Sequence, residues 1–119
     1  MSEPIIWLKV FNEQEIHHEF KYRPGLNKLK EPFQKHGSCV PGGLYFTKAK
    51  YIDKFYSWGN HIRQITLPTD NPEFQMVKDP GNCGNGKKWR ANMIILGDIK
   101  YTLSEVETYR KFGLEIDTG

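Results

Sequence analysis

The spacing of apolar residues divides the chain into short segments arranged around one stretch, residues 42–68. Residues 43–46, Gly-Leu-Tyr-Phe, are the aromatic and apolar run of a buried strand. Thr47 is placed to cap a helix in which Ala49, Ile52, Phe55 and Tyr56 recur at helical spacing. Gly59 stands where a left-handed C-terminal residue is wanted, because glycine has no Cβ to clash there. Residues 61–67 predict the next strand, closed by Pro68. From Phe46 to Ile62 the chain is long enough for a crossover, which would leave the two strands parallel; antiparallel placement in an α+β fold is the other arrangement.

The flanks give further elements. Residues 5–11 predict a strand with Ile6, Leu8 and Val10 on one face and Ile5, Trp7, Lys9 and Phe11 on the other. Apolar residues on both faces argue for a central position. Residues 17–22 predict a second strand, in a hairpin with the first, in which Phe20 and Tyr22 alternate with Glu19 and Lys21. Arg23-Pro24-Gly25-Leu26 fits a type II turn. Residues 27–41 read as an ordered loop with Leu29 and Phe33 tucked beneath it.

Residues 74–77 predict a short strand, residues 79–86 a glycine-rich exposed loop, and residues 91–96 one strongly apolar strand turned by Gly97-Asp98. Thr102 and Glu105 have capping-box spacing for a last helix. Leu103, Val106, Tyr109 and Phe112 line one side of that helix, Gly113 stops it, and a frayed tail follows at 115–119. The expected architecture is a single compact α+β domain over residues 1–119, a mixed or mainly antiparallel sheet of about five strands with two helices.

Composition sharpens this picture in two places. Aromatic residues make up 13% of the 119, so a few large rings supply much of the buried area. Seventeen Lys and Arg against fourteen Asp and Glu give a formal charge of +3, which permits nucleic acid or another acidic partner without demanding one. No run approaches the ~20 apolar residues that span a bilayer, and no secretory leader begins the chain. The expected setting is therefore a cell interior, where the two cysteines, Cys39 and Cys83, default to thiols.

Candidate chemistry is sparse. His36 and Cys39 have an H-x-x-C spacing that zinc accepts, and Cys83 and His61 are the remaining candidates, but a second close ligand pair is missing; no metal and no cofactor are expected. His17 and His18 are neighbours, which on a strand would point to opposite faces. Neither a G-x-S-x-G elbow nor a Walker A pattern occurs, and the loop at 81–88 runs into a strand instead of the helix N-terminus that a phosphate cradle uses. The basic stretch Lys87-Lys88-Trp89-Arg90 is the main surface candidate: three cations around an indole suit a nucleic acid or phosphorylated partner. On a strand, the same residues would send Trp89 to the core and Lys88 and Arg90 to water or a carboxylate.

Two resemblances follow from longer motifs. G-G-L-Y-F-T at 42–47, F-Y-S-W-G at 55–59, I-R-Q-I-T-L-P at 62–68 and K-W-R-A-N-M-I-I-L at 88–96 resemble the N-terminal module of ankyrin-repeat proteins from mimivirus-like viruses and short stand-alone relatives in marseillevirus-like viruses. That resemblance runs over residues 20–114 and implies interaction work in an infected host cell. The G-G-L-Y-F-T stretch with its aromatic helix is also similar to the tyrosine-bearing strand of ADP-ribosyltransferases. It implies NAD binding near Tyr45, yet no His-Gly-Thr-like element precedes it and no glutamate lies on residues 91–96.

The resulting expectation is a non-enzymatic interaction module of a giant DNA virus, acting inside the host cell on a host or viral macromolecule. It would work alone, as a homo-oligomer or with partners, and without membrane contact. Its contact residues would be Lys87, Lys88 and Arg90. The alternatives are a divergent ADP-ribosyltransferase-like enzyme and a sequence-tolerant nucleic-acid binder.

Overall fold

The computed structural model describes residues 4–81 and 86–114. Ten strands are present among the described residues: β1 Trp7–Phe11, β2 Ile16–His17, β3 Phe20–Lys21, β4 Gly25–Lys28, β5 Leu44–Lys48, β6 His61–Thr66, β7 Met76–Lys78, β8 Trp89–Ala91, β9 Met93–Leu96 and β10 Tyr101–Thr102. A 3-10 helix, Ala49–Trp58, joins β5 to β6, and α1, Val106–Phe112, closes the described chain. Eight strands form one sheet in the order β4-β9-β6-β1-β5-β8-β7, with β10 beside β6, and β2 and β3 pair separately. The α+β class and the two helices stand; five strands was an undercount, because several strands are only two to four residues long and leave little periodicity to read.

β1 is the central strand. It pairs antiparallel with β6 along its whole length, Trp7↔Ile65 to Phe11↔His61. It meets β5 only at Trp7↔Lys48 and Leu8↔Thr47. Because β5 and β6 both run antiparallel to β1, they run parallel to each other with β1 between them. The strand-helix-strand stretch is thus a crossover with a third strand inserted. All the strand pairs themselves are antiparallel.

Alternation along β1 separates two cores. Leu8 and Val10 join Ile52, Phe55 and Ile62 under the 3-10 helix. Phe11 packs with Tyr22, Leu44, Phe46, Ile65, Trp89 and Ile94, and Trp7 lies against that group. Lys9 shares the Trp7 and Phe11 side of the strand and is 5% exposed.

Several local expectations change. Residues 17–22 do not pair with β1; β2 and β3 pair with each other, and left-handed backbone at Glu15, His18 and Glu19 prevents one continuous strand. Residues 91–96 are two strands broken at Asn92. β8 pairs with β5 and β7, whereas β9 pairs with β4 and β6. The Asn92 side chain accepts from Gln75 N at 2.8 Å and donates to Glu73 O at 2.7 Å, so the break has its own hydrogen bonds.

Thr47 is no helix cap, since its hydroxyl donates to Lys87 O. Gly59 has extended backbone (φ −178°); its requirement is steric, since a Cβ there would lie 1.9 Å from Phe11 O. Thr102 lies in β10, and Glu105 precedes α1 without a side-chain cap. Val106 is half exposed, and Thr108 takes the buried position by donating to Thr102 O at 2.6 Å. Gly113 does stop α1, at φ 64°, with its N–H on Tyr109 O, and Gly25 has the positive φ of the expected turn. The expected tail at 115–119 and much of the glycine-rich loop lie outside the described residues.

Candidate functional site: a lysine and aromatic face over a buried basic seam

The basic stretch divides between surface and interior. β8 lies between β5 and β7, so neighbours cover both of its sides. Arg90 is fully buried and Lys88 is 3% exposed, with Trp89 at 8%; Lys87 alone of the three cations reaches the surface. The strand-alternation reading, Trp89 to the core and the cations toward a carboxylate, describes the geometry. That carboxylate is Asp79, itself fully buried.

Asp79 and Arg90 tie the irregular segment 34–42 to the sheet. Arg90 Nη1 lies 3.1 Å from Asp79 Oδ2, and Arg90 also donates to the carbonyls of Gln34 and Gly37. Asp79 accepts from Ser38 Oγ at 2.6 Å and Cys39 N at 2.9 Å. Burial pushes the Asp79 carboxyl upward, but the Ser38, Cys39 and Gly81 hydrogen bonds and the Lys88 charge outweigh it, so it sits below the usual carboxylate range. Gly43 must be small here, because a Cβ would lie 2.6 Å from Arg90 Cδ. Cys39 is disulfide-bonded, against the expectation of thiols, which rested on a reducing cell interior and not on the geometry that brings sulfurs together. Cys83 lies outside the described residues.

On the surface, Lys87 is one of four lysines around two stacked rings. Tyr51 and Trp89 lie 6.3 Å apart with planes 16° from parallel. Lys87 and Lys50 stand over Tyr51 at 5.2 and 5.0 Å. Lys48 and Lys78 stand over Trp89 at 5.0 and 5.5 Å, and Trp7 packs edge-on against Trp89 at 5.2 Å. Among the described residues none of these four lysines makes an ion pair. The Tyr51 hydroxyl is held below the usual tyrosine range, chiefly by its hydrogen bond with Lys50, with Lys48 and Lys87 adding to it. The sequence showed Lys87 but not its companions: Lys48, Lys50 and Lys78 come from three other elements and converge only through the β5-β8-β7 register.

Beneath this face, β1 and β5 diverge after their two paired positions. Successive residues Leu8, Lys9 and Val10 on one strand and Tyr45, Phe46 and Thr47 on the other border a cavity of about 20 Å³, with Lys88 and Trp58. Tyr45, Phe46 and Phe55 are 1%, 3% and 5% exposed, so these rings serve packing around a narrow seam rather than an open cleft. Burial, then the charge of Lys88, lowers Lys9 to about 7. Burial lowers His17 to about 3, with Lys9, His18 and Lys88 adding repulsion. His18 shifts down for the same reasons, opposed by Glu31. The two histidine rings, expected on opposite faces, lie 4.3 Å apart, because the left-handed backbone at His18 (φ 50°) turns them together.

A second buried polar group crosses β6. Glu15 Oε2 lies 2.6 Å from Arg63 Nε and 2.9 Å from His61 Nε2. Burial pushes the Glu15 carboxyl up, but the Arg63 and His61 hydrogen bonds outweigh it and leave it lowered. His61 is thereby engaged by Glu15, and among the described residues no three His, Cys, Asp or Glu side chains form a metal-ligand group. No helix is long and apolar enough to cross a membrane among the described residues.

No family model matches the chain, and no solved structure matches it. Three relatives come from Acanthamoeba polyphaga mimivirus. "Putative ankyrin repeat protein R896" is 44% identical over 87% of this chain and 30% of its own length. "Putative ankyrin repeat protein R868" is 42% identical over 87% of this chain and 50% of its own length. "Uncharacterized protein R869" is 41% identical over 93% of this chain and 80% of its own length. The chain therefore spans about a third to a half of the two ankyrin-named relatives and most of the third. On that coverage and identity, the chain belongs to a family of small giant-virus domains that these mimivirus proteins share.

Proposed function

We propose that the chain is a non-enzymatic interaction module of a giant virus, which binds an acidic host or viral macromolecule inside the host cell. The observation that carries this reading is the group of four lysines over Tyr51 and Trp89, to which no carboxylate is paired among the described residues. Like charges held together over aromatic faces are favourable when an anionic partner neutralises them. The ankyrin-repeat names of relatives in which this domain is only a part fit an interaction role. Of the residues expected from the sequence, Lys87 joins the contact face, while Lys88 and Arg90 are buried toward Asp79.

The test uses single-stranded DNA and polyglutamate as probes over a salt series. Affinity for at least one should fall steeply with salt, because neutralised charges release counterions. The double variant Lys50→Glu/Lys87→Glu should lose that binding while keeping its circular dichroism spectrum. Equal binding by the variant, or none by the parent chain, rejects the reading.

The ADP-ribosyltransferase-like alternative draws on the divergence of β1 and β5 beside Tyr45. A space of about 20 Å³ holds roughly one water, and a nicotinamide needs several times that. Calorimetry with NAD should show no heat; a saturable signal would reverse the order of the two readings.

A further inference from the structure

We propose that the seam between β1 and β5 receives the anionic end of a ligand, a carboxylate or a phosphate group, against the ammonium of Lys9, with His17 beside it and the Trp58 indole at the mouth. This site is distinct from the surface lysines and does not depend on them.

The first ground is what Lys9 lacks. An amine that is 5% exposed ordinarily meets a carboxylate, since burying a lone charge is costly. Lys9 instead reaches His17 Nδ1 at 3.3 Å and lies 5.1 and 5.6 Å from the ring centres of Tyr22 and Phe11. Among the described residues no carboxylate is within ion-pair distance of it. The two buried acids among the described residues are engaged elsewhere: Asp79 meets Arg90 at 3.1 Å and faces Lys88 at 4.0 Å, and Glu15 is held by Arg63 at 2.6 Å and His61 at 2.9 Å.

The second ground is shape. Lys9, Val10 and Trp58 border the 20 Å³ cavity and also a neighbouring one of about 40 Å³ that His17 and Ile16 complete. Trp58 is 40% exposed and lines both spaces, so its indole stands between them and solvent. Together the two spaces are on the order of a single carboxylate or phosphate head group.

The third ground is backbone strain. Glu15, His18 and Glu19 have φ of 57°, 50° and 66°, a region that costs non-glycine residues free energy. That strain holds the His17 and His18 rings 4.3 Å apart, with His17 5.7 Å from Trp58. An anion in the seam would neutralise Lys9 and accept hydrogen bonds from its ammonium and from the His17 imidazole.

The experiment titrates the whole chain with sodium acetate and with inorganic phosphate at pH 6, against sodium chloride at matched ionic strength. Thermal unfolding and the imidazole resonances of His17 and His18 are followed together. One of the two anions should raise Tm saturably by several °C over chloride and shift both imidazoles over the same concentration range. Lys9→Met should abolish both responses, and Lys9→Arg should retain them in weaker form. If Lys9→Met fails to fold, His17→Gln should weaken binding about tenfold. Competition by a phosphomonoester such as AMP would assign the group to a larger ligand, and response to the inorganic ion alone would assign it to free phosphate. Absence of a saturable response, or an unchanged response in Lys9→Met or in a folded His17→Gln, overturns the proposal.

Discussion

Lys9 Nζ lies 3.3 Å from His17 Nδ1, so two basic groups share a hydrogen bond, and among the described residues no acid is within ion-pair distance of either. Both give up protons on folding. The Lys9 value falls from 10.5 to about 7 and that of His17 from 6.5 to about 3. Where a folded-state value is depressed, the unfolded chain binds more protons in the interval, and stability rises with pH across it. Lys9 thus destabilises the fold fully below pH about 7, and the penalty disappears by pH 10.5. Lys9→Met should stabilise the protein at pH 6 by up to about 5 kcal/mol and shrink the rise between pH 7 and 10.5, leaving the part that the lowered Lys88 contributes. Urea unfolding at a series of pH values checks both.

His17 makes a separate contribution. Stability should fall as pH drops from 6.5 toward 3, as the unfolded imidazole takes a proton that the folded one refuses. His17→Gln should flatten that limb and leave the alkaline limb in place. Acid unfolding followed by circular dichroism distinguishes the two limbs; an unchanged acid limb would contradict the assignment.

Glu15 carries the opposite kind of burial, since its carboxylate has two partners. Glu15→Gln leaves Arg63 buried without its counter-charge and should cost about 3–5 kcal/mol. Because the carboxyl is lowered from 4.5, its contribution is present above that value and is lost as pH falls below it. The difference between parent and variant should therefore shrink in acid, as read from denaturant midpoints.

Gly59→Ala tests the reassigned glycine. The backbone there is extended, which alanine adopts freely, so a left-handed cap would have predicted strain of another origin. The cost is the overlap of the new Cβ with Phe11 O, 1.9 Å away, beside the Asn60 N–H that bonds the same oxygen at 3.0 Å. Destabilisation of about 3 kcal/mol or more is expected, measurable as a lowered Tm.

Tyr51 tests the outer face. Tyr51→Ala should weaken single-stranded DNA binding by about 1–3 kcal/mol if bases stack there while leaving the salt slope nearly intact. Lys50→Glu should reduce the slope itself. Filter binding at several salt concentrations separates the two effects.

The sequence alone determined what depends on near neighbours in the chain. Two-residue alternation in β1 placed Leu8 and Val10 against Trp7 and Phe11, helical spacing found Ile52 and Phe55, and Gly113 ended α1, because each is a matter of local backbone geometry. The ordered motifs between residues 42 and 96 sufficed for the family. Tertiary structure decided whatever depends on which strands become neighbours. Insertion of β1 between β5 and β6, the break at Asn92, and the pairing of β8 with both β5 and β7 buried Lys88 and Arg90 and brought Lys48, Lys50, Lys78 and Lys87 together. Cation clusters and buried charges belong to that second class, because their energies depend on distance through space and on exclusion of water, and neither is written in the spacing of residues along a chain.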